Sequence, residues 1–372
     1  MRPAFSSTRQ AAVFALLLLL LLLSPVLIGK RLLPPRETIY TSTCWRLGSY
    51  PFLYQQIFKE TNEIDVAVIG SSKGWFDLDA VHLQAELSQR LGRQAVVLNL
   101  CWKWAGYDAT YFITRDLLEH RRVKMLVFTD EQPPGFSSDG LHRSQCVAHH
   151  WFRFGDGAPD IAGLTLPNQA SLYGSAILGL PRNLLCLARP NLDLITGTNY
   201  QPSVNAYYMT PDPFTRLGSL RSAMDYFEDP HFVLFQPAAS HPAAVPLIYS
   251  SANRTNFQFT GPRTHSMELF FLKKFTALAA DWQVKLVMLH YPMYREPEPQ
   301  ERITERECWP DIIGTNVTLM GVVPSRFCAG VTPAQKRQIF CNDFHLNQNG
   351  QDHFTRMITP ALIDIYESET RH

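Results

Sequence analysis

The chain predicts an α/β fold, a doubly wound parallel sheet with helices on both faces. Residues 64–69 form an apolar run of strand length, rich in β-branched side chains, that ends in Gly-Ser-Ser. A strand covered on both faces loses the alternation of polar and apolar residues, as this run does. Further apolar runs then alternate with segments of helical spacing across short connections. That alternation is typical of a parallel sheet.

The elements follow the first strand in a regular order until the middle of the chain. We predict strands at 64–69, 95–100, 123–129, 284–289 and 317–323, and helices at 78–91, 109–120, 266–281 and 351–367. Pro360 should kink or interrupt the last helix. Residues 131–263 lose the alternation and are dense in proline, glycine and aromatic residues. We interpret them as an insertion or cap on one domain.

The N-terminus predicts a membrane anchor. Residues 11–28 are apolar apart from Ser24 and Pro25 and include eight consecutive leucines. A helix of this length spans about 27 Å, close to the roughly 30 Å core of a bilayer. No small-x-small cleavage site follows, so we predict a transmembrane signal anchor (1–30), a connector (31–62) and an exported α/β domain (63–372). A cleaved signal peptide is the alternative.

Composition narrows the classes of partner and cofactor. The net charge is +1, from 34 basic and 33 acidic side chains, which gives no support to nucleic-acid binding. The seven cysteines form no CxxC pair, and the adjacent His149 and His150 lack a third spaced ligand. We therefore predict no metal site.

Two polar turns carry candidate chemistry. Ser71 and Ser72 follow the first strand, and ligands of open α/β sheets bind beyond the carboxyl ends of the strands. His345 lies in a polar turn before the last helix. A serine hydroxyl becomes nucleophilic when a histidine removes its proton. Ser72 is the candidate nucleophile and His345 its base; a serine that only caps a turn is the alternative.

These turns resemble the motifs of the SGNH (GDSL-like) hydrolases and acyltransferases. The family's Gly-Asp-Ser matches residues 70–72 with serine in place of aspartate, as in many membrane-anchored members that acylate cell-surface polymers. Its Asp-x-x-His-Leu-Asn-x-x-Gly matches residues 342–350 except at the first position. The resemblance covers roughly residues 62–130 and 265–368. It implies a three-layer sandwich with Ser72, the third residue of its motif, as nucleophile.

The resemblance also implies an oxyanion hole. Its donors would be the amide of Ser72 and the amide of Gly106, although a glycine at that place also suits a tight turn without a ligand. The family's Gly-x-Asn-Asp motif has no counterpart asparagine, because residues 128–132 read Phe-Thr-Asp-Glu-Gln.

The triad acid is the second departure from the family pattern. Asn342 occupies the place of the family aspartate, and Asp343 lies one residue closer to His345. Asp343 is the candidate acid. The alternatives are a serine–histidine pair with a neutral group orienting the imidazole, or a site that has lost catalysis.

By resemblance, the chain is expected to hydrolyse or transfer an acyl ester on a cell-envelope glycan or a small ester, without a metal or organic cofactor. A membrane-bound acyltransferase is a further expected partner. The rival expectation is an inactive accessory or scaffold protein of such a system. Asn342 and the missing asparagine favour the rival, whereas Ser72 and His345 oppose it.

Overall fold

The computed structural model describes residues 5–32, 37, 40, 53–101, 106–129, 161–170, 266–295, 317–337, 339–340 and 344–370. The predicted insertion at 131–263 lies outside these residues apart from 161–170. Much of the predicted connector, including residues 41–52, lies outside them as well.

The described strands form one all-parallel sheet, as predicted. They are β1 (Ile64–Ile69), β2 (Val97–Asn99), β3 (Val123–Thr129), β4 (Lys285–Leu289) and β5 (Val317–Met320). Their spatial order is β2-β1-β3-β4-β5. The chain runs from β1 to β2 at one edge and then returns to place β3 on the other side of β1. This reversal makes the carboxyl ends of β1 and β3 the switch point of the sheet, where open α/β folds hold their ligands.

Helices cover both faces of the sheet. They are α2 (Ser72–Asp77), α3 (Ala80–Leu91), α4 (Tyr107–His120), α5 (Ser266–Asp281), α6 (Pro324–Phe327), α7 (Pro333–Lys336) and α8 (Gln348–Thr370), after α1 (Thr8–Leu32) and a π-helical turn (Gln55–Lys59). Ala67 and Ile69 of β1 join a core with α4 and α5, whereas Val66 and Val68 join a second core with α3 and α8. Alternate residues of β1 thus pack into two cores on opposite faces of the sheet. The sheet and the helices on its two faces form the predicted three layers.

Several predicted boundaries move for local reasons. The helix predicted from Leu78 begins at Ala80, because Oδ1 of Asp79 accepts the amides of Val81 and His82, each at 3.0 Å. The strand predicted to reach Val323 ends at Met320. Helix α2 was not predicted at all.

Pro360 was predicted to kink or interrupt the last helix, and the interruption is wrong, whereas the kink stays a prediction. Helix α8 runs through this residue without a break. Proline leaves the carbonyl four residues earlier without its helical partner, here that of Arg356. Both Pro360 and Arg356 are exposed, so water can satisfy that carbonyl and the helix continues.

The predicted anchor coincides with helix α1. Its leucines from Leu16 to Leu20 are exposed. Within the described residues, however, no helix combines the length and the hydropathy needed to cross a membrane. The anchor therefore stays a prediction.

Candidate active site

The turn after β1 depends on a glycine. Gly70 has φ +153, a conformation that residues with a side chain rarely adopt. A Cβ at this position would also overlap Oγ1 of Thr129, the last residue of the neighbouring strand β3. The amide of Ser71 then donates to that same Oγ1 at 3.3 Å. The chain thus leaves the sheet tightly against β3, and the two serines follow at the switch point.

The structure separates the two serines. Oγ of Ser71 accepts the amide of Lys73 at 3.4 Å and caps helix α2. Ser72 is the first residue of α2, and its Oγ lies 2.9 Å from Nε2 of His345. The sequence left a capping role open for Ser72, but here Ser71 is the cap and Ser72 contacts the histidine.

The turn that carries His345 is built by its neighbours. Oδ1 of Asn347 accepts the amide of Gly350 at 3.1 Å and so caps helix α8. A side chain at Gly350 would overlap the carbonyl oxygen of Ile339. Leu346 is fully buried in the core shared with α8. Leu346, Asn347 and Gly350 of the His-Leu-Asn-x-x-Gly motif therefore each have a structural role in the turn that follows His345.

His345 is deeply buried, with 6% of its surface exposed. Burial, and then the nearby positive charge of Lys73, lowers the pKa of His345 to about 3. The imidazole is therefore neutral at pH 7. A neutral imidazole whose proton is on Nδ1 can accept the hydroxyl proton of Ser72 at Nε2.

Sequence reasoning missed two buried ionisable side chains on helix α2. Lys73 and Asp77 lie four residues apart on α2, with 6% and 0% of their surfaces exposed. Oδ1 of Asp77 accepts the amide of Leu346 at 2.8 Å. Burial raises the pKa of Asp77 well above its usual range, against the opposing effects of that amide and of Lys73. The available signal was two opposite charges at helical spacing within a short segment that otherwise reads as a loop.

Gly106 lies at the start of α4 and is buried. Its carbonyl accepts the amide and the hydroxyl of Thr110, at 3.1 and 3.2 Å. The amides of Gly106 and Ser72 donate to no other residue in the part of the chain that the structure describes. Both amides thus remain candidate donors to an oxyanion. No hydrogen bond joins the two described residues Ser72 and Gly106 themselves.

The candidate acid Asp343, together with Asn342, lies outside the described residues. Its place in a triad therefore stays a prediction. The structure brings together two of the predicted site residues, Ser72 and His345.

No protein-family model matches this chain. No curated protein matches it either.

Proposed function

We propose that this chain is a serine-dependent acyl-ester hydrolase or O-acyltransferase of SGNH type that acts on an acylated cell-envelope glycan. The observation that supports the proposal best is the 2.9 Å contact between Oγ of Ser72 and Nε2 of His345. This distance is within hydrogen-bond reach, which a nucleophile and its base require. The two residues come from turns that resemble two motifs of one enzyme family.

In the proposed reaction, Oγ of Ser72 attacks the acyl carbon while Nε2 of His345 takes the hydroxyl proton. The tetrahedral intermediate collapses, and the imidazolium returns the proton to the departing alkoxide. An acyl group is then held as an ester on Ser72. Water or a glycan hydroxyl attacks that ester, with His345 acting as base again, and releases a free acid or a newly acylated sugar.

The negative oxygen of the intermediate needs donors that are in place before it forms. The amides of Ser72 and Gly106 fill this role in the proposal, because neither is used by another described residue. The proposed chemistry needs no metal and no organic cofactor. In a transfer reaction, a membrane-bound acyltransferase would supply the acyl donor.

The proposed location rests on the anchor predicted from the apolar residues 11–28. Residues 1–30 would hold the chain in a membrane with the α/β domain on the outer side. Carbonate extraction followed by N-terminal sequencing tests this. A soluble chain whose first residue lies near position 30 would overturn the anchor.

A fluorophosphonate probe tests the proposed nucleophile, because it reacts covalently with activated serines. We expect labelling of Ser72 and hydrolysis of a small acetyl ester, both abolished in Ser72→Ala. Ser71→Ala is the matched control, since it removes the neighbouring hydroxyl and a helix cap but should keep most of the activity. Equal activity in the wild type and in folded Ser72→Ala would remove the nucleophile.

One observation favours the rival function, an inactive accessory or scaffold protein. Lys73 adds positive charge near His345 and opposes the imidazolium that catalysis requires. A scaffold protein does not need His345 to become an imidazolium. If the probe labels nothing and Ser72→Ala keeps full envelope function, the accessory role replaces the enzymatic one.

A further inference from the structure

Asp77 connects the nucleophile helix to the turn that carries the base. It is the last residue of α2, the helix that begins at Ser72. Its Oδ1 accepts the amide of Leu346, the residue directly after His345, at 2.8 Å. One short helix therefore presents the candidate nucleophile at its start and holds the backbone of the candidate base at its end.

Two other hydrogen bonds join the same parts of the chain, but farther from the base. Nε2 of Gln351 donates to the carbonyl of Phe76 at 2.8 Å. The amide of Asp79 donates to Oγ1 of Thr355 at 2.9 Å. Gln351 and Thr355 lie within α8, beyond the capping residue Asn347. Of these three bonds, only the one from Asp77 reaches the backbone next to the imidazole.

Stability alone is a poor explanation for a carboxyl group at this position. Asp77 is wholly buried, and its Oδ2 makes no hydrogen bond in the described part of the chain. Nζ of Lys73, four residues earlier on the same helix, makes none there either. Buried polar atoms without hydrogen-bond partners cost free energy, and replacing such groups by apolar side chains of similar size is often neutral or stabilising. What the carboxyl group does provide is a hydrogen-bond acceptor for the amide of Leu346.

We propose that Asp77 is a positioning residue for His345: by accepting the Leu346 amide, it keeps Nε2 within reach of Oγ of Ser72. This inference rests on the proposed serine–histidine chemistry. Asp77 makes no recorded contact with the imidazole and touches no reacting atom. Its effect should therefore fall on kcat and leave KM nearly unchanged, because a displaced base slows proton transfer more than it weakens substrate binding.

The acceptor atom, rather than the charge, should carry the effect. Burial raises the pKa of Asp77 well above its usual range, so the neutral acid is favoured. Asparagine keeps an oxygen of the same reach. We therefore expect Asp77→Asn to hold kcat within about threefold of the wild type, and Asp77→Leu, of similar size without an acceptor, to lose at least about tenfold.

Thr355→Val is the matched control. It has nearly the same shape and removes the acceptor of the Asp79 amide, another buried bond between the same segments. The experiment uses the full chain in detergent and measures kcat and KM on an acetyl ester, the rate of probe labelling at Ser72, and amide hydrogen exchange of Leu346. We expect Asp77→Leu to lower kcat and the labelling rate and to speed exchange at Leu346. Thr355→Val should lower the melting temperature without any of these effects.

The outcomes separate the two proposals. Equal losses of kcat in Asp77→Leu and Thr355→Val, or unchanged exchange at Leu346, would overturn the role of Asp77. A loss of tenfold in Asp77→Asn would also overturn it, and this result remains decisive if Asp77→Leu fails to fold. If the wild type is neither active nor labelled while exchange at Leu346 still responds to Asp77→Leu, the serine–histidine chemistry is wrong and the backbone contact stands.

Discussion

The imidazole of His345 meets the ring of Phe76 edge-on, with ring centroids 5.2 Å apart and planes inclined by 79°. Phe76 is itself fully buried. One side of the candidate base therefore faces hydrocarbon instead of water. Such surroundings disfavour the charged imidazolium, which is the main reason why the pKa of His345 falls to about 3.

This burial predicts an unusual pH profile for the reaction of Ser72. The pKa of His345 lies below its ordinary value, so the neutral base persists as the pH falls from 8 to 5. We expect the labelling rate of Ser72 to change less than about threefold over this range. An ordinary histidine, with a pKa of about 6.5, would lose roughly 30-fold by pH 5. Rates measured across the range decide this, and a sigmoidal loss centred near pH 6.5 would contradict it.

The second prediction concerns the acid of the candidate site. Asp343→Asn should lower kcat/KM at least about tenfold, because a carboxylate stabilises the imidazolium and an amide only fixes the tautomer. Adding Asn342→Asp to that variant should restore activity by recreating the family spacing. A silent Asp343→Asn beside an inactive His345→Ala would instead indicate a serine–histidine pair.

The third prediction compares two glycines. Gly70→Ala meets both an unfavourable φ and the side chain of Thr129, whereas Gly92→Ala meets an unfavourable φ of +64 and open space. We expect Gly92→Ala to lower the free energy of unfolding by roughly 1–2 kcal/mol. Gly70→Ala should exceed that by at least about 1 kcal/mol, because its Cβ must displace a packed side chain. Denaturant unfolding of both variants gives the comparison, and equal losses would show that Thr129 moves aside freely.

The fourth prediction concerns Asp65, a buried carboxylate of β1. Arg93 binds it through both terminal guanidinium nitrogens, and the hydroxyl of Tyr366 in α8 donates to it at 2.6 Å. Burial by itself would raise the pKa of Asp65, but these hydrogen bonds hold that pKa well below its usual range. Asp65→Asn removes the charged acceptor of these bonds, but the side chain of Arg93 is 46% exposed and stays hydrated, so we expect the free energy of unfolding to fall by about 1.5–3 kcal/mol.

An exposed ion pair provides the control for Asp65. Glu367 binds Arg90, whose side chain is 55% exposed, so Glu367→Gln should cost at most about 1 kcal/mol. The pH dependence gives a second readout. Because the folded pKa of Asp65 is lowered, its contribution is complete above the unfolded value of about 3.9 and is lost as the pH falls below it. If Asp65→Asn were as stable as the wild type at pH 7 and lost no less stability in acid, this account would be wrong.

The sequence predicted the sheet because its strands are buried on both faces and read as apolar runs. It missed α2, since Gly74 and the charges of Lys73 and Asp77 look like a loop. Gly74 is required by packing, because a Cβ there would lie 2.5 Å from Sγ of Cys101. The interruption at Pro360 was predicted wrongly, because it depends on whether water can reach the freed carbonyl of Arg356, and burial cannot be read from the sequence alone.

Only the part of the candidate site that lies in recognisable sequence motifs was predicted. Ser72 and His345 stand in recognisable turns, so their contact could be anticipated. The hydrogen bond between the Leu346 amide and Asp77 joins residues 269 positions apart, and no local sequence pattern predicts it. The low pKa of His345 depends on its burial, to which the contact with Phe76 contributes, and on the nearby charge of Lys73. Both depend on tertiary packing, which the sequence does not show.

The path of the chain has a consequence for its synthesis. Strands β1 and β3 and helix α2 are made long before His345, because the contact with Ser72 closes across 273 positions. Contacts of such long range form slowly, because much chain entropy is lost before they form. In the proposed role, an unfinished or C-terminally clipped chain would display its serine without a base. In that role, Ser72 would therefore gain its base only after residue 345 has been made and α8 has docked on the sheet.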